Sequence, residues 1–333
     1  MTGSEKSPMA EVVPSPTTGP WALVRRLTRF REFLLIAIIL VAGVAMSFAS
    51  DVFLTSANLQ ALLLSMFTDA IIAIGMTILL VSGGFDLSVG SVAALSGAVA
   101  AQAMAAGMPV PLAILCGLAL GAGIGAVNGS VIAKIGINPF ITTLAMMSIA
   151  RGALQVMMQG RNISDLPEAF KVIGQGNILD VQAPIWIAVI LVVVGDWLMR
   201  KTRFFRQNYY LGGNEKAAVL SGIRVDRLKI FNYALTGFLA ALAGVVYTAR
   251  MGSATVTAGV GWELRVISAV VIGGASLQGG EGTVLGAFLG CVLMAMIMNS
   301  LTLLNVNQYW TTLVIGATLL LAVLADTFGR RRK

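Results

Sequence analysis

Long apolar stretches separated by short polar segments run along this chain from residue 33 to residue 326. A helix needs roughly 20 apolar residues to cross the hydrocarbon core of a bilayer, so each stretch is a candidate span. The candidates cover residues 33–49, 59–81, 88–106, 111–133, 140–158, 184–199, 230–250, 263–277, 283–303 and 308–326. The pattern predicts an all-α protein, a polytopic transmembrane helix bundle of about ten spans. The stretch 263–277 fits least well, because it is short and charged near its start.

The longest strongly charged segment, Arg200–Lys229, lies between two of these apolar stretches and holds eight of the 23 Lys and Arg residues. Lys and Arg in short loops resist translocation, so this segment is predicted to be cytoplasmic. An even number of spans returns both termini to that side, whereas the opposite loops 50–58, 107–110 and 304–307 carry no Lys or Arg. The prediction is therefore a flexible cytoplasmic tail over 1–30, a membrane domain over 31–328 with a cytoplasmic loop at 200–229, and a basic cytoplasmic tail over 329–333.

The charged segment also contains signals for a short helix. Asn214 suits the N-cap, Glu215 the positive end of the helix dipole, and Gly222 a left-handed C-terminal residue. Two interpretations are open: an ordinary solvated loop, or a small-faced helical stub that rests in a groove on a soluble partner.

Three glycine-rich or polar stretches interrupt the apolar pattern: SGGFDLSVGS (82–91), GVGWELRVIS (259–268) and GGASLQGGEG (273–282). In the first, the two glycines are predicted to break a helix, with Asp86 as the N-cap of the next helix, which carries Ser88. Broken helices at membrane depth are tolerated where they are buried or line a cavity. The stretch is thus either part of a solute pathway, with Glu263 of the second stretch as a further candidate, or a capped turn at the membrane surface.

Two charged residues, Asp69 and Arg151, lie near the middle of predicted spans. A charge at that depth is costly unless it is paired or faces water, so both are predicted to point into the bundle, and we hypothesise an Asp69–Arg151 ion pair. The amide of Asn128 is suited either to bonding a polyol or to linking helices.

Composition supports a membrane protein and excludes several kinds of chemistry. Hydrophobic residues make up 57%, charged residues 11%, and the mean hydropathy is +0.86. The net charge of +8 is explained by basic residues at span ends, so nucleic acid is not an expected partner. The chain lacks histidine and a GxxxxGK[ST] motif, and its two cysteines, Cys116 and Cys291, lie in apolar runs. No catalytic, metal or cofactor site is therefore predicted, and any ATP must bind another polypeptide.

Several long motifs occur in an order that resembles the ribose-type, simple-sugar permeases of bacterial ABC importers. They are SGGFDLSVGSVAALSGAVAA, GAVNGSVIAKIGINPFITTLAMMSIARG, LGGNEKAAVLSGI and ARMGSATVTAGVGWELRVISAVVIGGASLQGGEGTVLGAFLG. The resemblance extends from about residue 60 to residue 326.

This resemblance implies a fold of the vitamin-B12-importer type in the bacterial inner membrane, with two identical or different permease subunits around one pathway. It further implies a periplasmic sugar-binding protein and a separate sugar ABC ATP-binding protein that holds ATP and magnesium. The residues that match the family's ATPase-coupling loop are Gly212, Gly213, Asn214, Ala217, Ala218, Ser221 and Gly222.

The chain departs from the family pattern at three positions. Phe205 stands where many relatives have glycine, Phe85 where a smaller aliphatic residue is common, and Arg265 where an acidic residue often follows Glu-Leu. The expected function is import of a ribose-like pentose, a hexose or a related polyol. The alternative is a secondary transporter in which Asp69 and Arg151 couple to an ion gradient. A membrane-embedded enzyme acting on lipid has little support, because the sequence has no histidine, nucleophile elbow or metal-ligand cluster.

Overall fold

The computed structural model describes residues 31–307 and 309–331, and helices form nearly all of the regular structure there. The helices are α1 (Arg31–Ala49), α2 (Ser56–Val81), α3 (Val89–Ala105), α4 (Val110–Ser130), α5 (Pro139–Met158), α6 (Glu168–Gln175), α7 (Ala183–Lys201), α8 (Arg203–Gly213), α9 (Glu215–Leu220), α10 (Val225–Met251), α11 (Trp262–Ile272), α12 (Val284–Leu303) and α13 (Trp310–Arg331). A π-helical turn, Val131–Ile135, extends α4, and the strands β1 (Asn177–Ile178) and β2 (Val181–Gln182) form a small antiparallel hairpin before α7.

The predicted polytopic all-α bundle is confirmed. Among the described residues, seven helices are long and apolar enough to cross a bilayer, and α3 and α13 contain shorter apolar segments. Of the eighth predicted span, 263–277, only residues 263–272 are helical, in the eleven-residue helix α11, so this span differs most from its prediction. At a rise of about 1.5 Å per residue, α11 extends roughly 16 Å, about half the hydrocarbon thickness.

The centre of the bundle is α10, which packs against α2, α3, α4 and α6. Glycines let the backbones touch. A Cβ at Gly125 would meet the carbonyl of Tyr233, one at Gly237 would meet the backbone of Gly121, and one at Gly244 would meet Ala93. Apolar lipid provides no hydrophobic drive for helices to associate, so such close packing is what holds the bundle together.

The helix ends gather in two sets. At the end that carries α8 and α9, here called the basic end, the Thr283 hydroxyl donates to Glu32 at 3.0 Å and the amide of Leu285 donates to Asp196 at 3.0 Å. At the opposite end, Ile163 and Ala254 form an isolated β-bridge. Segments predicted to share one side of the membrane therefore lie together.

The irregular segment 252–261 leads into α11 and is held by Arg151. This side chain donates from Nη1 to the carbonyls of Val256 (3.1 Å) and Ala258 (2.7 Å). The backbone here has no helical partners of its own, and a buried carbonyl without a donor is costly, so the guanidinium stabilises the segment.

The hypothesis of an Asp69–Arg151 ion pair is wrong. Asp69 on α2 accepts two hydrogen bonds from Arg265 on α11, from Nε at 2.5 Å and Nη2 at 2.7 Å. A fork of two parallel bonds matches a carboxylate better than a single contact, and Arg265 occupies the position where the family resemblance led us to expect an acidic residue. The similar depth of Asp69 and Arg151 in their predicted spans was the only basis for that hypothesis. Arg151 instead donates hydrogen bonds to backbone carbonyls.

The predicted tail over residues 1–30 lies outside the described residues. The last helix continues to Arg331, so it includes residues 329–331 of the predicted basic tail, while residues 332–333 are also outside the described part.

Gly125 provides a test of the close packing around α10. We expect Gly125→Val to destabilise the protein by about 1–3 kcal/mol through overpacking, because its side chain would meet the Tyr233 carbonyl. The matched control is Gly123→Val on the same helix, where nothing lies within 4 Å of the added Cβ. The measurement is the thermal unfolding midpoint in detergent, and equal midpoints for the two variants would contradict the packing argument.

The Asp69–Arg265 pair predicts a non-additive pattern of stability. Asp69→Asn or Arg265→Gln alone leaves one charge unpaired, and breaking a buried pair in this way costs about 3–5 kcal/mol. The double variant removes both charges and is expected to unfold at a higher temperature than either single variant. A double variant that unfolds below both single variants would refute the pairing.

Candidate functional site

The short helix α9 forms as the sequence predicted. The Asn214 side chain accepts from the amide of Ala217 at 3.0 Å as the N-cap, and Gly222 follows the helix with φ +81°. Glu215 in the first turn pairs with Lys229 at the start of α10 at 2.7 Å. The ion pair therefore fixes the start of the stub to the first turns of α10.

The residues predicted to engage an ATPase divide by exposure. Gly213, Asn214, Ala217, Ser221 and Gly222 are exposed, and no atom lies within 4 Å of a Cβ built on Gly213. In contrast, Ala218 is only 2% exposed, because it packs inward in a small apolar cluster with Leu211, Val225 and Leu228. Ala218 thus fixes the stub to the protein and does not face outward.

Sequence reasoning missed helix α8 in the charged segment, although its amphipathic pattern was a usable signal. The Tyr209 hydroxyl donates to the Gly282 carbonyl at 2.8 Å, and burial raises the pKa of this phenol, so the group is a neutral donor. The Asn208 side chain accepts from the Asn232 amide on α10 at 2.7 Å. These bonds hold α8 against the bundle.

Gly212 joins the charged segment to two of the glycine-rich stretches. A Cβ at this position would meet the carbonyl of Val81 and the amide of Gly280, and the Gly280 amide itself donates to the Val81 carbonyl at 2.9 Å. The end of α8, the end of α2 and the turn 273–282 therefore meet at one point. Only glycine fits there.

The break after α2 contains a buried polar cluster. Gly83 has φ +83° and terminates α2 as predicted. The Asp86 carboxylate accepts from the Ser88 amide (2.7 Å) and hydroxyl (2.6 Å), and Asn128 donates to the Ser88 oxygen at 3.2 Å. The prediction that Asp86 is the N-cap of α3 is wrong. The helix begins at Val89 with Ser88 as its N-cap, and the Asp86 side chain instead closes the turn that precedes the helix.

Aromatic residues of α10 and α5 contact Phe85 in this break. The Tyr233 hydroxyl on α10 donates to the Phe85 carbonyl at 3.1 Å, and the Phe85 ring lies 6.3 Å from the Phe140 ring at the start of α5. Tyr233 was not identified from the sequence, since it lies far along the chain from Phe85 in an ordinary apolar helix.

A cavity of about 490 Å³ lies where α3, α5 and α11 converge. Its polar lining comprises Ser91 of α3, three α5 residues and Glu263 in the first turn of α11; the α5 residues are Ser148, Arg151 and Gln155. Backbone contact between Gly90 and Gly259 closes one side. Since Ser148 is close to the midpoint of α5, the cavity lies at mid-span.

The six predicted pathway residues therefore occupy three places. Arg151 and Glu263 line the cavity, Asp86, Ser88 and Asn128 form the buried cluster, and Asp69 belongs to the ion pair with Arg265.

Comparison with known proteins adds a consistent result. The model of the family described as branched-chain amino acid transport system / permease component matches residues 58–323. The ribose import permease protein RbsC of Haemophilus influenzae is 40% identical over 320 residues, covering 95% of this chain and 98% of the relative. RbsC of Escherichia coli K12 is 42% identical, covering 88% and 92% of the two chains. The L-arabinose ABC transporter permease protein AraH of Azospirillum brasilense is 38% identical, covering 98% and 95%.

No solved structure matches the chain. The family model covers well over half of the sequence, and the relatives are matched over nearly their whole length. The chain therefore belongs to the branched-chain amino acid transport system / permease component family.

Proposed function

We propose that this chain is the membrane-spanning permease subunit of an ABC importer for a monosaccharide, such as a ribose-like pentose, a hexose or a related polyol. The observation that carries this proposal is the similarity, over almost the full length, to permeases named for ribose and L-arabinose. The family description names branched-chain amino acids, whereas the relatives with high identity to this chain are named for ribose and L-arabinose. The mid-span cavity also has polar side chains in its lining, at Ser91, Ser148, Arg151, Gln155 and Glu263, beside the apolar Met147 and Val260.

In this proposal a sugar ABC ATP-binding protein docks on the α8–α9 surface and holds the ATP and magnesium. Support comes from the exposed polar and small residues of this surface and from Val219 and Leu220, apolar side chains that are 55% and 89% exposed on a short helix outside the apolar spans. Large exposed apolar side chains of this kind are typical of contact sites for another protein.

The same surface offers a route by which docking would act on the pathway. Gly212 touches Val81 and Gly280, and the turn after Val81 leads to Phe85 and Asp86. Movement of α8 and α9 would shift the ends of two broken helices together, which fits a rigid-body switch between inward-open and outward-open states. The Phe85–Phe140 contact is then a candidate closure at the basic end.

The proposal sets the chain in the bacterial inner membrane with about ten spans, both termini cytoplasmic and a fold of the vitamin-B12-importer type. The sorting of helix ends supports this orientation, because the basic end collects the Arg200–Lys229 segment. A periplasmic sugar-binding protein would then deliver solute to the opposite end.

A second permease subunit, identical or different, is part of the proposal. The cavity face of α5 carries polar side chains that are open on one side of the subunit, and polar groups facing lipid are costly. A partner subunit across that face would enclose the cavity.

The ion-gradient alternative is less well supported than the sequence alone suggested. Asp69 is bound in a fork by Arg265, and Arg151 is bound to two carbonyls, so neither is a free coupling charge in this conformation. Uptake into sealed vesicles distinguishes the two functions: the importer requires ATP and the binding protein, whereas uptake driven by a proton or sodium gradient alone would support the alternative.

Leu220 provides a test of the docking surface. We expect Leu220→Asp to abolish co-purification with the ATP-binding protein and to reduce ATP-driven uptake at least about tenfold, because a charge would replace an exposed apolar contact. The matched control is Leu179→Asp, which changes a leucine that is 83% exposed in the hairpin before α7, at the end of that helix away from α8. Normal assembly of the Leu220→Asp variant would contradict docking at this surface.

A further inference from the structure

The mid-span cavity between α3, α5 and α11 contains polar side chains that are only partly satisfied inside the bundle. The Ser148 hydroxyl donates to the Leu144 carbonyl at 3.3 Å, so its oxygen remains available as an acceptor. Arg151 donates through Nη1 to the carbonyls of Val256 and Ala258, and it also lines the cavity. The Gln155 side chain is exposed beside it, one turn further along α5. Glu263 lines the cavity from the first turn of α11, Ser91 from α3 and Ser148 from α5. The apolar side chains of Met147 and Val260 line the rest with two glycines.

The α5 helix shows that this polarity is confined to one stripe. Ser148, Arg151, Gly152 and Gln155 fall on one face at helical spacing, and all four line the cavity. The neighbouring exposed face is apolar, with Ile149 63% and Val156 77% exposed. Polar side chains in the middle of an apolar span are costly unless they meet water or a polar solute, so the stripe is placed for contact with such a solute.

The chemistry of the lining matches a polyhydroxylated solute. A sugar hydroxyl is both donor and acceptor, and the cavity lining includes a donor group at Arg151 and acceptors at Glu263 and the Ser148 oxygen. Gln155 and Ser91 have groups that can do both. The cavity, at about 490 Å³, falls within the range of about 300–1,000 Å³ that small-molecule sites occupy. One guanidinium with one carboxylate also gives the lining no excess charge that would favour an ionic solute.

We infer that this cavity is a transient binding station for a monosaccharide within the membrane pathway, and that Ser148 and Gln155 bond to its hydroxyl groups. This inference rests on the proposed function. The station is a weak site, since a permease must release solute after each cycle and strong capture belongs to the binding protein. Ser148 and Gln155 would thereby influence which monosaccharides, distinguished by the arrangement of their hydroxyl groups, are transported fastest.

The test uses the complete transporter reconstituted in proteoliposomes, with the binding protein saturated with D-ribose or with each of its monodeoxy analogues. We expect Gln155→Leu to reduce D-ribose uptake about fivefold, as expected for the loss of one hydrogen bond, while ATP hydrolysis stimulated by the loaded binding protein stays within about twofold of the unmodified transporter. The matched control is Gln102→Leu, a glutamine in α3 that is exposed but does not line the cavity, and its uptake should not change.

The deoxy analogues separate solute contact from a structural role. If Gln155 bonds to a hydroxyl, the unmodified transporter carries one analogue about fivefold more slowly than D-ribose, and Gln155→Leu removes that difference. Ser148→Ala is expected to do the same for the same or an adjacent hydroxyl. Uptake reduced equally for D-ribose and every analogue, or not reduced at all, would overturn the inference. Absence of ATP-stimulated uptake by the unmodified transporter with every monosaccharide and polyol tested would instead refute the proposed function.

Discussion

Direct backbone contact around α10 is the constraint on which the rest of this structure depends. Where Gly125, Gly237 and Gly244 lie, no side chain separates α10 from its neighbours α3 and α4. Contact at this distance fixes the rotation of each helix as well as its position, because a turn of a few tens of degrees would bring a Cβ into a carbonyl. Asn128 of the buried polar cluster lies on α4 and Ser91 of the cavity lies on α3, so the positions of these two residues follow from this packing.

Irregular backbone inside the bundle is stabilised by side chains from other helices. Arg151 on α5 donates to the carbonyls of Val256 and Ala258, and Tyr233 on α10 donates to the carbonyl of Phe85. A membrane interior has no water to bond these groups, so the breaks exist only because a donor or acceptor arrives from elsewhere in the chain. Charged and polar residues in apolar spans therefore stabilise the fold in addition to any contact they make with solute.

The sequence was informative wherever the governing interaction is local. Span positions follow from length and apolarity, and α9 follows from the cap at Asn214 and the glycine at 222, all within ten residues of one another. Pairings across the bundle were not accessible, because depth suggested that Asp69 needs a partner but not which helix carries it. Arg265 was visible only as a departure from the family pattern, and Tyr233 looked like any residue of an apolar helix.

The absence of a side chain at Gly212 has a mechanical consequence. At this position the chain presses on the carbonyl end of α2 and on the glycine turn before α12, and those two elements are also bonded to each other. One residue of α8 therefore contacts two separate elements of the membrane domain at the same time. Because Gly212 packs directly on both elements, a displacement of α8 would move the two broken segments of the membrane domain together.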